Sequence, residues 1–466
     1  MTTLQSCPGF GRRRFLADTG MGFTGLALGS MLFHDGVAQG AGQPAVGQPH
    51  HPPRAKSVIW IFSSGGVSHI ESFDPKPELN RFTGKRVDET PHAKQVAEKY
   101  HQKKVGNMQI GSKRYGESGI EVADWWPHIG SCADDLAFVR SLWVDDNCHG
   151  AQLTWHNGRH SREGGVHPTI GSWTSYGLGT LNQNLPQFVV LGGAIGECCG
   201  GEWAHGGGYL GPIHAGVRLN GRTGLPHLTP STPRQKQEQD LELGLLGKLN
   251  SLTAAEYPDD PDLRARVRSY ELAFAMQASV PETMQLDKET EATRRLYGID
   301  QPRTQNIGSL CLAARRLVER GVRFVQVYLP LGWDAHNDVV GNHGGNAAQC
   351  DQPIGGLIKD LKQRGLLDET LVVWGTEFGR APYNTAGRDH WADGFSCWLA
   401  GGGLKGGVVY GETDPFGFAP ITKPHYITDI HATVLHQLGL DSRQLTIPGR
   451  QRLERDFGEP IREIIA

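Results

Sequence analysis

The stretch ETLVVWGTEFGR at residues 369–380 gives the clearest indication of the fold. It begins with a short apolar run, Leu371 to Trp374, and ends in polar and glycine residues. A short apolar run bounded by turn residues is typical of a buried strand in a parallel sheet. Glu377 and Arg380 follow this strand, at the position where open α/β sheets bind their ligands.

The same pattern of a short apolar run followed by polar residues recurs along the chain. Helical stretches separate the runs, and this alternation predicts an α/β fold with a mostly parallel central sheet flanked by helices. The predicted strands are Val58–Phe62, Leu136–Val139, Phe188–Leu191, Arg323–Leu329, Leu371–Trp374 and Ser396–Leu399.

Three helices are predicted between and after these strands. Apolar residues recur at helical spacing from Ile307 to Val318 and from Ile427 to Leu438. The third helix is expected from Pro353 to Gln363, because proline suits the first turn of a helix and Gly365 follows the last turn.

The rest of the chain shows how the domain is organised. Residues 192–304 lack the strand and helix rhythm and are predicted to be an insertion, helical in its charged part at 234–295. Residues 41–53 are rich in glycine, proline and histidine, which predicts a flexible linker. We therefore expect a single α/β domain over residues 54–466.

Residues 1–40 have the parts of a secretory signal. Arg12, Arg13 and Arg14 precede Phe15 and Leu16, and a small-residue apolar run follows that is too short to span a bilayer. The pattern Arg-Arg-x-Phe-Leu is that of twin-arginine export. We expect the twin-arginine translocation machinery as a partner and the periplasm as the location of the mature protein.

The composition excludes two classes of function. The chain of 466 residues has a net charge of -3, so it lacks the basic footprint of a nucleic-acid-binding protein. After the signal, no apolar segment is long enough to cross a membrane. An ordinary globular domain with a sizeable core is expected.

Two candidate ligands for a metal follow the strand that ends at Leu329. Asp334 and His336 are two residues apart, which places both side chains on one face of an extended segment, and His343 comes soon after. A carboxylate with an imidazole suits zinc, manganese or calcium. The alternative is a surface loop in which these groups only form hydrogen bonds.

A second polar group follows residues 369–380. Glu377 is a candidate ligand or base, and Asp389 and His390 bring another carboxylate and another imidazole to the same edge. Arg380 and Arg388 are expected to neutralise an oxyanion through bidentate contacts. Taken singly, each of these residues is more often a structural polar group.

Two more strand ends carry candidate site residues. After the first strand, Gly65 and Gly66 would let backbone amides approach an anion, and His69 and Asp74 follow. The strand ending at Val139 leads to Cys148 and His149, either of which could face the site; a buried, inert cysteine is the alternative.

Several motifs together resemble the bacterial family called domain of unknown function 1501, whose members commonly carry twin-arginine signals. Besides residues 369–380, the resemblance rests on Gly387-Arg388-Asp389-His390, Leu399-Ala400-Gly401-Gly402-Gly403, Asp429-Ile430-His431-Ala432-Thr433 and the amino-terminal Ser64-Gly65-Gly66-Val67-Ser68-His69-Ile70-Glu71-Ser72-Phe73-Asp74. The family is similar, at a distance, to the alkaline-phosphatase/sulfatase superfamily.

The resemblance implies a metal-dependent site with a Ser, Thr or modified Cys nucleophile. It implies two clusters of Asp and His ligands, with Glu377 and His390 in or near one cluster and Asp334 with His336 or His343 in the other. Gly65 and Gly66 lie where the first metal-binding aspartate is expected, which leaves only His69 or Asp74 as substitutes.

Cys148 lies ten residues before Gly158, as a sulfatase nucleophile would. The Cys-x-Pro-x-Arg pattern that formylglycine conversion needs does not follow it, however, so a formylglycine sulfatase is not expected.

Two functions follow as hypotheses. The first is a hydrolase that uses a divalent metal (Zn, Ca or Mn) to cleave a small sulfate or phosphate ester. The second is a degenerate sulfatase-like protein that binds a sulfated or phosphorylated glycan, or a protein partner, without turnover. The missing amino-terminal aspartate favours the second.

Overall fold

The computed structural model describes residues 48–163, 166–193, 200–219, a few positions between 241 and 276, 280–383, 385–447, 449–450 and 452–466. The predicted export segment at 1–40 lies outside these residues. Most of the linker at 41–53 and most of the helical part predicted at 234–295 also lie outside them. Those three predictions therefore stay predictions.

The strands and helices of the described residues alternate along the chain. The strands are β1 (Ser57–Phe62), β2 (Ser112–Tyr115), β3 (Ile120–Ala123), β4 (Leu136–Trp143), β5 (Phe188–Gly192), β6 (Val217–Leu219), β7 (Phe324–Tyr328), β8 (Thr370–Gly375), β9 (Gly379–Arg380), β10 (His390–Trp391), β11 (Phe395–Ala400), β12 (Val408–Tyr410), β13 (Glu412–Thr413), β14 (Pro420–Thr422) and β15 (His425–Tyr426). The α-helices are α1 (Glu78–Phe82), α2 (Pro127–Gly130), α3 (Ala151–Asn157), α4 (Ile170–Leu178), α5 (Glu291–Leu296), α6 (Gln305–Glu319), α7 (Val339–Gln363), α8 (Ile427–Gln437) and α9 (Glu454–Phe457).

Nine strands of the described chain form one central sheet. Their order is β12, β4, β11, β8, β1, β7, β5 and β6, with β15 paired to β4. The strand pairs are parallel except for the two that β11 makes with β4 and β8. The predicted α/β fold with a mostly parallel sheet is confirmed.

Helices cover both faces of this sheet, as the apolar strands require. Strands β1, β7 and β8 are buried along their whole length, so both of their faces need apolar partners. Helices α2, α6 and α7 pack on one face, and α3, α4 and α8 pack on the other. Strand β6 lies inside the predicted insertion at 192–304 yet extends the sheet by pairing with β5.

The prediction that a helix begins at Pro353 was wrong. Helix α7 begins at Val339, and the Asp338 side chain caps it by accepting a 2.8 Å hydrogen bond from the Gly341 amide. Glycine and asparagine at residues 341–346 have low helix propensity, so the sequence hides this first part. Tertiary packing overrides propensity here, because His343 and Ala347 are buried on the inner face.

The strand directions bring several loops to one edge of the sheet. Strands β4, β8, β1 and β7 run the same way, so their carboxyl ends lie together; β11 runs the opposite way, so the segment that precedes it reaches the same edge. Among the described residues, no helix combines the length and the apolar character that a membrane crossing needs.

Candidate functional site

Five predicted site residues meet at this edge of the sheet. Asp334 and His336 follow β7, Glu377 follows β8, His149 follows β4, and His390 lies in β10, just before the antiparallel β11. We call these five residues the strand-end cluster. Residues 228 to 243 positions apart in sequence are in direct contact here, for example His149 with Glu377 and His390 with Asn147.

The Asp334 carboxylate is the centre of the strand-end cluster. Its Oδ2 atom lies 3.2 Å from Nε2 of His149, and its Oδ1 atom lies 3.1 Å from Nε2 of both His336 and His390. The Nε2 atoms of His336 and His390 are themselves 3.1 Å apart. Three imidazoles therefore direct the same ring nitrogen towards one carboxylate.

The other ring nitrogen of each imidazole is held by an acceptor. Nδ1 of His149 lies 3.1 Å from Oε1 of Glu377, and Nδ1 of His390 lies 2.6 Å from the carbonyl oxygen of Asn147. Nδ1 of His336 lies 3.2 Å from Oδ1 of Asp389. Metal-binding histidines commonly have their second nitrogen fixed by a carboxylate or a carbonyl in this way.

The bond to Asn147 fixes the tautomer of His390. A carbonyl oxygen only accepts hydrogen bonds, so Nδ1 of His390 carries a proton. In the neutral ring, Nε2 therefore carries a lone pair and is an acceptor. Burial lowers the pKa of His390, although the Asp334 hydrogen bond opposes this, so the neutral ring is favoured. Two acceptors, Nε2 of His390 and Oδ1 of Asp334, then face each other 3.1 Å apart, an arrangement that a cation would satisfy.

The donor set fits a divalent metal. One ligand atom each from His149, Asp334 and His390 lies within 4.8 Å of the others. Two imidazole nitrogens and one carboxylate oxygen suit zinc or manganese, whereas calcium prefers oxygen ligands. Three protein ligands that leave a position open are typical of catalytic zinc sites.

Arg380 keeps Asp334 charged and in place. Its Nη2 atom donates to Oδ1 of Asp334 at 2.7 Å. Burial raises the pKa of Asp334, but favourable interactions, led by the hydrogen bond from Arg380, outweigh burial and hold that pKa below its ordinary value. Arg380 is itself buried and also donates to the carbonyl oxygens of Gly65, Gly66 and Arg388. The predicted oxyanion contact of Arg380 is therefore replaced by contacts within the protein.

Glu377 fixes the orientation of His149. It is fully buried and accepts hydrogen bonds from the Gly65 amide at 2.7 Å and from the Thr376 hydroxyl at 3.0 Å. Its hydrogen bond to His149 raises the pKa of that imidazole, and burial of His149 opposes the rise. The oxygens of Glu377 already face protein donors, so this residue orients the ligand His149. It is not one of the three residues whose ligand atoms lie together, which are His149, Asp334 and His390.

Three residues predicted as metal ligands lie elsewhere. His343 is buried on α7 and accepts a 3.0 Å hydrogen bond from the Ser68 amide. His69 is buried against the Gly417 carbonyl oxygen, at 2.9 Å. Asp74 is buried and pairs with Lys76 at 3.0 Å. All three side chains are buried in the protein, which the residue types alone do not reveal.

Arg388 also points away from the strand-end cluster. Its guanidinium binds Glu71 through two contacts, of 2.7 Å and 3.0 Å, and both side chains are fully buried. The predicted oxyanion contact of Arg388 is corrected to a buried ion pair. Asp389, predicted as a ligand, instead contacts Nδ1 of His336, on the side of that ring away from Asp334.

The loop between β4 and α3 presents His149 rather than Cys148 to the cluster. The Cys148 thiol is exposed and lies 3.9 Å from Oδ1 of its neighbour Asn147. The alternative of a buried cysteine is therefore wrong. The role of Cys148 as a nucleophile stays a prediction.

The glycine-rich loop after β1 binds protein groups instead of an anion. The amides of Gly65, Val67 and Ser68 donate to Glu377, Thr376 and His343. Gly65 has φ +113°, and a Cβ atom there would lie 2.6 Å from the Trp333 backbone nitrogen. The glycine is thus needed for close packing against the Asp334 loop.

Sequence reasoning missed the residues that hold the predicted site residues in place. Asn147 anchors His390, Thr376 anchors Glu377, and Glu71 holds Arg388. Asn147 and Glu71 act through contacts with residues more than two hundred positions away in sequence. Only Thr376 could have been proposed from sequence, because it is the direct neighbour of Glu377.

Comparisons with known proteins identify a family and distant structural relatives. Residues 55–465 match the family described as "Protein of unknown function (DUF1501)", which confirms the resemblance seen in the motifs. No curated protein matches the chain.

Three of the solved structures that resemble the chain are enzymes. A phosphonate monoester hydrolase from Silicibacter pomeroyi is 11% identical, with 88% of this chain and 76% of that chain covered and a TM-score of 0.39. A sulfatase from Pseudoalteromonas sp. is 12% identical, with 93% and 79% covered and a TM-score of 0.34. Alkaline phosphatase from the Antarctic bacterium TAB5 is 12% identical, with 76% and 92% covered and a TM-score of 0.29.

Proposed function

This chain belongs to the DUF1501 family, and we propose that it is a metal-dependent hydrolase of a sulfate or phosphate ester. The observation that carries the proposal is the grouping of His149, Asp334 and His390, whose ligand atoms lie within 4.8 Å of one another at a sheet edge. Sulfate and phosphate esters are the substrates that the resemblance of the motifs implies.

The metal would supply the electrophilic part of the chemistry. When bound, it would polarise the ester oxygens and lower the pKa of a water molecule enough for that water to attack. The protein contributes the orientation of the ligands, since Glu377 and the Asn147 carbonyl fix the two imidazoles through Nδ1. Arg380 holds Asp334 charged, which keeps this ligand ready.

His336 is placed to handle protons at the mouth of the site. It is 44% exposed, compared with 17% for His390, and Asp389 holds its Nδ1 atom. An exposed imidazole fixed by a carboxylate is a suitable general acid for a leaving-group oxygen. We assign this role to His336, whose Nε2 atom lies 3.1 Å from Oδ1 of Asp334.

Binding without turnover is the second candidate function. It is favoured by the glycine loop and by Arg380 and Arg388, because their donors are directed at protein acceptors. A hydrolase needs donors that stabilise the developing charge on the ester oxygens. If the metal alone cannot do this, the site would hold an anionic glycan or a protein partner without cleaving it.

One experiment separates the two candidates. Purified full-length protein is analysed for bound metal, loaded with Zn²⁺ or Mn²⁺, and assayed on para-nitrophenyl sulfate and para-nitrophenyl phosphate. The hydrolase proposal expects metal-dependent turnover that His390→Ala abolishes and that His128→Ala, a change at an exposed histidine outside the cluster, leaves intact. Protein that binds neither metal, or binds metal but turns over neither ester, would remove it.

The proposed location is the periplasm, reached through the twin-arginine machinery. The support is the Arg12-Arg13-Arg14-Phe15-Leu16 pattern. Cell fractionation of a tagged protein tests it: the double change Arg12→Lys and Arg13→Lys is expected to leave the precursor in the cytoplasm. Export of the double variant at the normal level would contradict the assignment.

A further inference from the structure

Next to the strand-end cluster lies a groove with an exposed aromatic wall. Of the eleven tryptophans in the chain, Trp143 and Trp203 are the exposed ones, at 38% and 54%. The Trp143 ring lies beside the Tyr426 ring, with centroids 5.1 Å apart at an angle of 58°. Together they line an open groove of about 480 Å³, a volume typical of small-molecule sites.

The polar lining of the groove is charged and net acidic. Tyr426 is fixed by a 2.8 Å hydrogen bond from its hydroxyl to Asp145. Four carboxylates and two guanidinium groups line the groove, which gives it an excess of two negative charges: Asp145, Asp429, Glu454 and Glu459 against Arg443 and Arg455. Arg443 pairs with Glu454 and Glu459, both at 2.6 Å, and Arg455 pairs with Asp145 at 3.4 Å. The donor and acceptor positions that these ion pairs leave over can bond to hydroxyls, but the net charge disfavours a sulfate or phosphate group.

The groove is joined to the strand-end cluster by one short loop. Asp145 lines the groove, and His149 lies in the cluster four residues later. Four residues of extended chain span at most about 14 Å. The Val144 amide also donates to the Ala392 carbonyl oxygen at 2.9 Å, which ties this loop to the segment that carries His390.

From this arrangement we infer that the groove is a saccharide subsite that takes a pyranose without an anionic group. The apolar face of the sugar ring would stack on Trp143 and contact the tilted Tyr426 ring at its edge, and its hydroxyls would bond to the planar charged groups. A glycan bound there would extend towards the strand-end cluster and could present an esterified unit to it. The substrate assignment, a sulfated or phosphorylated glycan, rests on the proposed hydrolase function; the sugar binding does not.

The test is binding of defined oligosaccharides to the full-length protein. A glycan array that contains neutral, amine-bearing and sulfated oligosaccharides is probed first, and the affinity of the best neutral or amine-bearing ligand is then measured by calorimetry. Truncation of an aromatic anchor in the variant Trp143→Ala should weaken binding at least about tenfold. Trp143→Phe should retain most of it because an aromatic face remains.

Matched controls keep the result specific. Trp203→Ala removes the other exposed tryptophan, which does not line the groove, and should bind like the natural protein. His390→Ala should bind the same oligosaccharide equally well, so a failure of the metal site and a failure of the sugar site are distinguishable. The inference is overturned if no neutral or amine-bearing glycan binds, or if Trp143→Ala binds as tightly as Trp203→Ala.

Discussion

Two groups of charged residues lie near one another at the same edge of the sheet, and they differ in how their hydrogen bonds are matched. Glu71 and Arg388 form a fully buried pair in which each carboxylate oxygen faces a guanidinium nitrogen, and Arg388 also donates to the carbonyl oxygens of Asn107 and Ala381. In the strand-end cluster, by contrast, Oδ1 of Asp334 faces the lone pair on Nε2 of His390, so two acceptors meet with no hydrogen between them.

The difference separates a structural pair from a candidate binding site. Every contact of the Glu71 and Arg388 pair described above joins a donor to an acceptor, so the pair is complete within the protein. The strand-end cluster has an excess of acceptors around one point, and its centre is half-open to solvent. Such an excess is costly unless a cation or a proton enters.

Removal of Arg388 should therefore have the largest effect, and that effect should be on stability. The variant Arg388→Ala leaves Glu71 buried without its partner, which costs about 3–5 kcal/mol. Denaturant titration of the metal-free protein measures it. The exposed pair of Lys56 and Glu369 gives the control, since Lys56→Ala should cost less than about 1 kcal/mol. Similar losses of unfolding free energy in Arg388→Ala and Lys56→Ala would contradict the assignment of Glu71 and Arg388 as a structural pair.

Removal of His390 should act on metal binding and leave the metal-free fold almost unchanged. Its Nε2 atom faces another acceptor, so His390→Ala loses mainly the hydrogen bond to Asn147 and should cost the metal-free protein at most about 1.5 kcal/mol. Metal at about one hundred times its dissociation constant should stabilise the natural protein by about 2.7 kcal/mol, and the variant should lose this gain. Thermal unfolding with and without Zn²⁺ measures both quantities; a variant that keeps the metal-dependent gain would contradict the ligand assignment.

Glu377 should have a smaller effect, because it acts through His149. Glu377→Gln keeps the size of the side chain but weakens the bond that orients His149, and loss of such an outer contact typically costs 10–100-fold in metal affinity. Calorimetric titration with Zn²⁺ measures the change. A loss as complete as that of His390→Ala would instead make Glu377 a direct ligand.

Acid should weaken metal binding with a defined sign. The hydrogen bond to Glu377 raises the pKa of His149 above its ordinary value, and the protonated ring cannot bind a metal. Affinity should therefore be highest above the raised pKa and fall by about tenfold per pH unit below it, for each proton displaced. Zinc affinities across this range are the measurement, and a flat profile would exclude His149 as a ligand.

Much of the fold and part of the site could be predicted from sequence. Short apolar strands leave a strong pattern, and polar residues after parallel strands must meet at one edge, which is why Asp334, Glu377 and His390 were expected to lie together. The direction of a loop side chain leaves no such pattern, so the choice between Cys148 and His149 needed the structure.

Long-range pairing explains the remaining errors. Arg388 meets Glu71 across 317 positions, and no local signal announces that contact. His343 looked like a loop ligand because the glycines around it hide the start of α7. In both cases tertiary packing overrode a sensible local interpretation.

Direct location of a bound metal tests the central claim best. A crystal of the full-length protein is grown with Zn²⁺ and measured at the zinc absorption edge. The anomalous map should show a peak within bonding distance of Nε2 of His149, Nε2 of His390 and the Asp334 carboxylate. A clean map at that point, with zinc absent or bound elsewhere, would contradict the account.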